Sequence, residues 1–237
     1  LDELARGIDA VTYEFENVPL DAANRLARDL PVWPPPEALR IAQDRLNEKT
    51  HAQQLDIGLP RFAPFSSREE LDKALAHVGL PAVMKTRRFG YDGKGQRVVH
   101  TASEAESAFE AIGGVPLILE KFIDFERELS VLAVRAHDGN LAIYPLVENH
   151  HRSGILRLSI APAPQVTPEL QTQAEDAARA VLESIGYVGT LAIEFFQKQG
   201  RLYFNEMAPR VHNSGHWTIE GAETSQFENH LRAVAGM

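Results

Sequence analysis

Two carboxylates sit where charge is costly. In the stretch Gly189 to Trp217, Glu194 precedes Phe195 and Phe196, and Glu206 lies between Tyr203, Phe204 and Met207. Both runs have the apolar and aromatic content of strands. An anion left unpaired there pays a desolvation penalty of several kcal/mol. The pleat puts Glu194 on a face with Ala192 and Phe196, and Glu206 on a face with Leu202 and Phe204. An odd-numbered loop around Lys198, Gln199 and Gly200 then sets Glu194 opposite Phe204, with Glu206 its diagonal neighbour at about 7–8 Å between Cβ atoms. An even loop sends the two glutamates to opposite faces and defeats a shared cation. From the diagonal spacing both arms reach one hard cation, magnesium above all when phosphates complete its shell. The competing account pairs them with arginines such as Arg201 and Arg210. Two buried acids need more compensation than one arginine supplies, which favours the metal.

A second cluster is the run KTRRFGYDGKGQ, Lys85 to Gln96, where Lys85, Arg87, Arg88, Lys94 and Arg97 accompany Gly90, Gly93 and Gly95. Glycines let backbone N–H groups approach phosphate oxygens, and the side chains neutralise them. The spacing is not that of a Walker A loop. A solvated basic hairpin turn has the same composition, although Lys85 closing an apolar strand weighs against it. Glu120 and Glu128 fit a nucleotide hinge, with the backbone of Glu120 to Ile123 facing an adenine edge and the second carboxylate accepting from ribose hydroxyls. Surface acids of a strand pair fit them as well. His212 and His216 flank Asn213, Ser214 and Gly215, a loop-forming spacer that argues against a zinc pair and for polar contacts to a substrate or a structured loop. His150 and His151 fit a turn or a ligand contact, and no Ser/His/Asp arrangement marks a hydrolytic triad.

The elements that must position these groups follow from periodicity and punctuation. Asp9 to Val18 reads as a strand ended by Pro19, Asp21 to Leu30 as a helix, and Pro31, Pro34, Pro35 and Pro36 as a stiff connector. Ala38 to Ile57 reads as one helix, with Arg45 projecting from its middle, stopped by Gly58 and Pro60. Ser67 with Glu70 and Thr101 with Glu104 have capping-box spacing and open two helices. Between them Pro81 to Lys85 and Gln96 to His100 form a hairpin, making a unit the size of a small lid. Leu117 to Ile123, Glu128 to Arg135 and Leu141 to Val147 follow as strands of an antiparallel sheet. A helix opens at Thr167-Pro168 with a stripe of Ala174, Ala177, Ala178, Val181, Leu182 and Ile185. A last helix from Ser225 carries Phe227, Leu231 and Val234.

The 237 residues suffice for one large or two small domains. A net charge of −9, from 33 acidic and 24 basic residues, argues against nucleic acid or an anionic membrane as partner. Any anionic ligand must therefore meet a local basic cluster. The absence of cysteine excludes disulfides and thiolate metal sites and fits a reducing compartment. With no apolar run near 20 residues and no signal peptide, we expect a cytoplasmic protein. Leu1 in place of a methionine leads us to expect part of a longer polypeptide.

Four runs carry a resemblance: TYEFENVP (Thr12 to Pro19), YDGKGQ (Tyr91 to Gln96), ENHHRSGILRLSIAPAP (Glu148 to Pro164) and NEMAPRVHNSGHWT (Asn205 to Thr218). On them the chain resembles the ATP-grasp superfamily and, within it, the 5-(carboxyamino)imidazole ribonucleotide synthases. The resemblance implies an α+β fold whose two subdomains enclose ATP. Residues 1–40 would be the remnant of an N-terminal α/β pre-ATP-grasp domain and 41–237 the ATP-grasp domain, with a lid at about 64–126. It implies Arg45 and Lys85 on the ATP phosphates and Gly90, Tyr91, Asp92, Gly93, Lys94 and Gly95 as a mobile phosphate loop. Glu120, Lys121, Phe122 and Ile123 would be the adenine hinge, Glu128 the ribose ligand, His151 and Asn205 nearby nucleotide contacts, and Glu194 and Glu206 the Mg²⁺ ligands. Tyr91, Asp92 and Lys94, with Arg210, His212, Asn213 and His216, would face bicarbonate and 5-aminoimidazole ribonucleotide. Asp92, His151 and His216 stand equally as the base. Many ATP-grasp enzymes carry an asparagine where this chain has Ala208, which leaves two carboxylates as its metal ligands. The implied reaction is ATP-driven carboxylation through carboxyphosphate in purine biosynthesis, in a family that is commonly homodimeric. Its rivals are another ATP-grasp ligase, a ribonucleotide transformylase, or a nucleotide-binding fragment without turnover.

Overall fold

The computed structural model describes residue 3 and residues 5–90, 95–112 and 114–237. The segment read as a first strand is irregular: only Val11 pairs, in a single parallel bridge with Val32. Its later carbonyls are used elsewhere, because the Gln43 amide donates to Glu16 O and Val18 O at 2.8 and 2.7 Å. After α1 (Leu20–Leu26), the long helix expected from Ala38 breaks in two, α2 (Pro36–Ala42) and α3 (Arg45–Gln54). Asp44 causes the break. It is extended (φ −137°, ψ 114°) and its carboxylate accepts the Leu46 N–H, a strong N-cap. Arg45 is therefore the first residue of α3 and not the middle of one helix.

The next unit is β1 (Phe62–Phe65), α4 (Arg68–Val78), β2 (Ala82–Thr86), β3 (Gln96–Val99), α5 (Ala102–Ile112) and β4 (Leu117–Lys121). Both helices are capped as the spacing predicts, Ser67 accepting from Glu70 N–H and Thr101 from Glu104 N–H, while the glutamate side chains reach one residue past the cap and accept from Ser66 and His100 N–H. The strands make an antiparallel sheet in the order β1-β4-β2-β3. Phe65, Met84 and Leu119 pack with Leu71 and Val78 of α4 and Ala105 and Ala108 of α5 in a core of their own.

The larger sheet joins β5 (Arg127–Arg135), β6 (Leu141–Ile143), β7 (Val147–Arg152), β8 (Ile155–Ile160), β9 (Gly189–Lys198) and β10 (Arg201–Ala208), ordered β10-β9-β5-β7-β8 with β6 also on β5. The single strand expected at 141–147 is split because Pro145 brings no N–H to a ladder. On one face lies α6 (Pro168–Ser184), whose Ala174, Ala178 and Val181 meet Leu129, Val131 and Ala133 of β5 and Leu191, Ile193 and Phe195 of β9. Full burial of each such valine, leucine or phenylalanine is worth about 1.5–3 kcal/mol. The opposite face carries Leu132, Val134 and Ala192 with Ala233 of α8 (Gln226–Ala235). Further along it come Glu128, Ser130, Glu194 and Phe196, paired across β5 and β9 as Glu128 with Phe196 and Ser130 with Glu194.

The last helix docks differently from its apolar pattern. Leu231 is 59% exposed, whereas Gln226 and His230 are buried. Hydrogen bonds explain the inversion, since Thr190 donates from Oγ1 to Gln226 O and from its N–H to His230 Nδ1, both at 3.1 Å. Among the described residues no helix is long and apolar enough to cross a membrane.

Candidate active site

The β9–β10 turn holds two residues, Gln199 and Gly200, both at positive φ (51° and 71°), as a primed hairpin turn requires. It is even, contrary to the odd loop expected above, and Lys198 faces Arg201. The carboxylates nevertheless meet. The register runs through Phe195 opposite Phe204, shifts, and resumes with Glu194 directly opposite Glu206. Asn205 is the extra residue of a β-bulge, and a bulge sets two residues of one strand against one of the other. Phe204 and Met207, three apart, both point into the α6 core. Glu206 is therefore opposite Glu194 and not diagonal to it, and it does not share a face with Leu202 and Phe204.

The first turns of α3 grip this hairpin with residues 45, 48 and 49, one helical face. Arg45 Nη1 lies 3.0 Å from Glu206 Oε2. Glu48, 3% exposed, accepts the Met207 N–H at 2.6 Å. Lys49 is fully buried, and its Nζ donates to Phe204 O at 3.1 Å and Asn205 O at 2.7 Å and lies 3.2 Å from Glu120 Oε2. Lys85 reaches the same Glu120 oxygen at 3.0 Å. The arginines considered above do not serve the pair: Arg201 is exposed, and Arg210 binds Glu16 Oε2 through Nε and Nη2 at 3.1 and 3.0 Å.

The charges are unequal. Burial, and then the facing Glu206, pushes Glu194 up to about 8. Burial works the same way on Glu206, but Arg45 and Lys85 outweigh it and hold that carboxyl below its usual value. Glu120 is also buried, yet Lys49 and Lys85 hold it at about 2. Burial draws Lys85 down despite Glu120. Burial and then Arg210 draw His212 down to about 4, so the imidazole is neutral, its Nε2 3.6 Å from Glu194 Oε1 and its Nδ1 2.9 Å from Ser214 Oγ. His151 is raised by its hydrogen bond to Glu128.

A divalent cation fits this donor set. Two hard carboxylate oxygens face each other, and one of them is kept from ionising partly by the other's charge, a penalty that a cation between them removes. Among the described residues no group of three or more His, Cys, Asp or Glu side chains forms a complete cage, and Ala208 is packed into the apolar cluster beside α8. The remaining ligands must come from a bound anion and water.

Two cavities meet here. The larger, about 630 Å³, runs between the sheets past Lys85, Glu120, Lys121, Phe122, Ile123 and Glu128, with Asn205 on its wall and Phe125 stacked on Phe196 at 4.6 Å. The smaller, about 220 Å³, is lined by Glu16, Gln43, Arg210, His212 and Asn213. Arg45, Gly90, His151, Gly154, Glu194 and Glu206 line both. Tyr91, Asp92, Gly93 and Lys94 lie outside the described residues. Gly95, at φ 73°, has no room for a Cβ, which would come within 2.7 Å of Thr86 Oγ1.

Three expectations change. Arg87 is held bidentately by Asp44 (3.0 and 2.7 Å) on the wall of the smaller cavity, and Arg88 donates to Gln43 Oε1 at 3.2 Å, so both already have partners at the junction of α2 and α3. His216 is exposed, stacks on Phe227 at 5.7 Å and lines neither cavity, because the 3₁₀ turn Asn213–Gly215 carries it past the site. His150, read above as a turn residue or a ligand contact, lies in β7 and not in a turn, and pairs with Glu148 at 2.9 Å on the wall of the larger cavity. Glu48, Lys49, Phe125 and Phe196 escaped the sequence reading, and the i, i+3, i+4 relation of Glu48 and Lys49 to Arg45 was the available signal.

Comparison with known proteins gives this geometry a context. Residues 50–227 match the model of the ATP-grasp domain, and residues 1–43 that of the ribonucleotide synthetase preATP-grasp domain. The chain is 54% identical over 237 residues to N5-carboxyaminoimidazole ribonucleotide synthase of Pseudomonas aeruginosa, covering 100% of this chain and 65% of that protein. The crystal structure of N5-carboxyaminoimidazole ribonucleotide synthetase from Thermus thermophilus superposes with a TM-score of 0.95 at 58% identity, over 99% of this chain and 64% of that one. N5-carboxyaminoimidazole synthase from Aspergillus clavatus, in complex with ADP and 5-aminoimidazole ribonucleotide, superposes with a TM-score of 0.90 at 31% identity, over 98% and 61% of the two chains. The chain thus spans just under two thirds of the length of these relatives.

Proposed function

The chain belongs to the ATP-grasp family, and from that premise we propose that it carries out ATP-dependent carboxylation of 5-aminoimidazole ribonucleotide in de novo purine biosynthesis. Bicarbonate is the carboxyl donor, and the products are 5-(carboxyamino)imidazole ribonucleotide, ADP and phosphate. One observation carries the reading: two cavities share a wall made of Arg45, His151, Glu194 and Glu206. A reaction that moves the terminal phosphoryl of ATP to a second substrate needs such a junction. The Aspergillus relative's complex with ADP and 5-aminoimidazole ribonucleotide supports the choice of substrates.

In this reading ATP occupies the larger cavity, with adenine along Lys121 to Ile123 and against the Phe125–Phe196 pair, and ribose near Glu128. Lys85 and Arg45 neutralise the phosphates, and the glycine-rich run Gly90 to Gly95 is assigned to them as the phosphate loop. Glu194 and Glu206 hold Mg²⁺, which spreads the negative charge of the phosphate oxygens. A bicarbonate oxygen attacks the γ-phosphorus and ADP departs, leaving carboxyphosphate. The ribonucleotide amine then attacks its carboxyl carbon, the C–O bond to phosphate breaks, and the amine's proton leaves through the phosphate or a nearby base. His151 and Asp92 are the candidates for that base. Arg210, His212 and Asn213 line the second cavity and face this substrate, while Glu16 holds Arg210 in place. We place the lid at about 64–126, the ATP-grasp domain at 41–237 and the preceding remnant at 1–40, in a cytoplasmic and homodimeric enzyme.

The test is phosphate release from Mg-ATP, with bicarbonate and 5-aminoimidazole ribonucleotide added singly and together, on the chain and on a version extended to its relatives' full length. Release that requires both co-substrates is the expected result. Release indifferent to both, or none from either polypeptide, overturns the carboxylation reading.

A further inference from the structure

Lys49 lines neither cavity, yet its Nζ lies within 3.2 Å of three acceptors that belong to two different sheets. Two of them are consecutive carbonyls, Phe204 O and Asn205 O. In a regular strand successive carbonyls point to opposite sides, so one nitrogen cannot bond both. Only the bulged backbone turns them to a single donor. The ammonium therefore pairs with a conformation that the flat ladder lacks, and that conformation sets Asn205 and Glu206 together against Glu194. The third acceptor, Glu120 Oε2, is shared with Lys85, so the same atom ties β4 and β2 of the smaller sheet to β10 of the larger one.

We propose that Lys49 is a positioning residue for the cation site: it fixes the bulge at Asn205 that brings Glu206 face to face with Glu194, while touching neither cation nor nucleotide. The inference rests on the nucleotide and Mg²⁺ reading given above. A compact ammonium with three donors can serve three acceptors around one point, whereas the planar fork of a guanidinium cannot.

The decisive variant is Lys49→Arg, which keeps the charge, with Lys49→Met as the stronger perturbation. ADP binding is titrated calorimetrically in Mg²⁺ and in excess chelator, and the ratio of the two affinities is the readout. Circular dichroism and thermal unfolding check the fold. We expect Lys49→Arg to fold, to keep metal-free ADP affinity within about threefold, and to lose at least about tenfold in the ratio, because carboxylates held out of geometry bind metal poorly. In a Glu206→Gln background, Lys49→Arg then changes the ratio no further. A wild-type ratio retained by Lys49→Arg and Lys49→Met, or an effect that multiplies with Glu206→Gln, overturns the inference alone. A wild-type ratio of one overturns the nucleotide-site reading and this inference with it.

Discussion

Replacing Glu194 by glutamine separates the charge of the carboxylate pair from its shape. The wild-type carboxyl is raised from 4.5 to about 8, so between those values the folded chain keeps a proton that the unfolded chain releases. The unfolded state then binds fewer protons, and unfolding free energy falls as pH rises. This contribution is fully present below 4.5 and is lost as pH passes through about 8. A window of about 3.5 pH units at about 1.4 kcal/mol per unit sets a ceiling of roughly 5 kcal/mol. Relaxation and water entry reduce such buried-charge terms, so a differential loss of about 1–3 kcal/mol is the expectation. Urea unfolding at pH 5.5 and pH 8.5, both in chelator, measures it. The wild type should lose that much more than Glu194→Gln between the two conditions. Glu48 is raised to about 8 by burial as well, but it is present in both proteins and cancels. Adding Mg-ADP at the higher pH should reverse the order, stabilising the wild type and leaving the variant nearly unmoved. Parallel pH curves in chelator would refute the raised carboxyl that burial, and then the facing Glu206, produce.

Lys85→Met leaves Glu120 with Lys49 alone and should weaken ADP binding about 10- to 100-fold, the worth of one charge-assisted hydrogen bond, as read by calorimetry. Asp44→Ala removes the α3 N-cap together with both hydrogen bonds to Arg87, and should cost about 2–3 kcal/mol in urea unfolding. Gly215→Ala would drive a Cβ into Leu132 Cδ2 and the Gln226 amide, so a loss of about 1–3 kcal/mol and a lower melting temperature should follow.

Features written over three or four residues were legible in the sequence. Ser67, Thr101 and Thr167 cap the helices their spacing announces, because a capping hydrogen bond spans one turn. The β2–β3 hairpin and the lid-sized unit around it follow from the same local signals. The break at Asp44 was missed, since hydrophobic periodicity runs on through it while the extended residue answers to Arg87, 43 positions away. The strand expected over 9–18 failed because its side chains suit a strand but its carbonyls are taken by Gln43. In the site, two acids in apolar strands announced themselves by chemistry alone. Lys49 did not, because its partners lie 155 and 156 residues along the chain and a charged residue on a helix ordinarily faces water. Glu206 was set beside Glu194 through a register that the bulge corrects, and one extra residue in a ladder leaves no mark in an alternation pattern.

Because partners in β10 are counted outward from Gln199 and Gly200, the hairpin tolerates changes of length very unevenly. One residue gained in the turn keeps the register only if it stays in the loop, widening it to three residues; drawn into the ladder, it would move every pairing by a step, carry Leu202 and Phe204 out of the α6 core and put their polar neighbours in. Loss of Asn205, by contrast, would leave Glu206 next in line after Phe204 and still opposite Glu194, in a flat ladder without the neighbouring amide. Insertions and deletions across relatives should therefore spare the stretch from Lys198 to Met207 and gather at connections such as the turn around Asp138 and Gly139, whose length sets no register at the site.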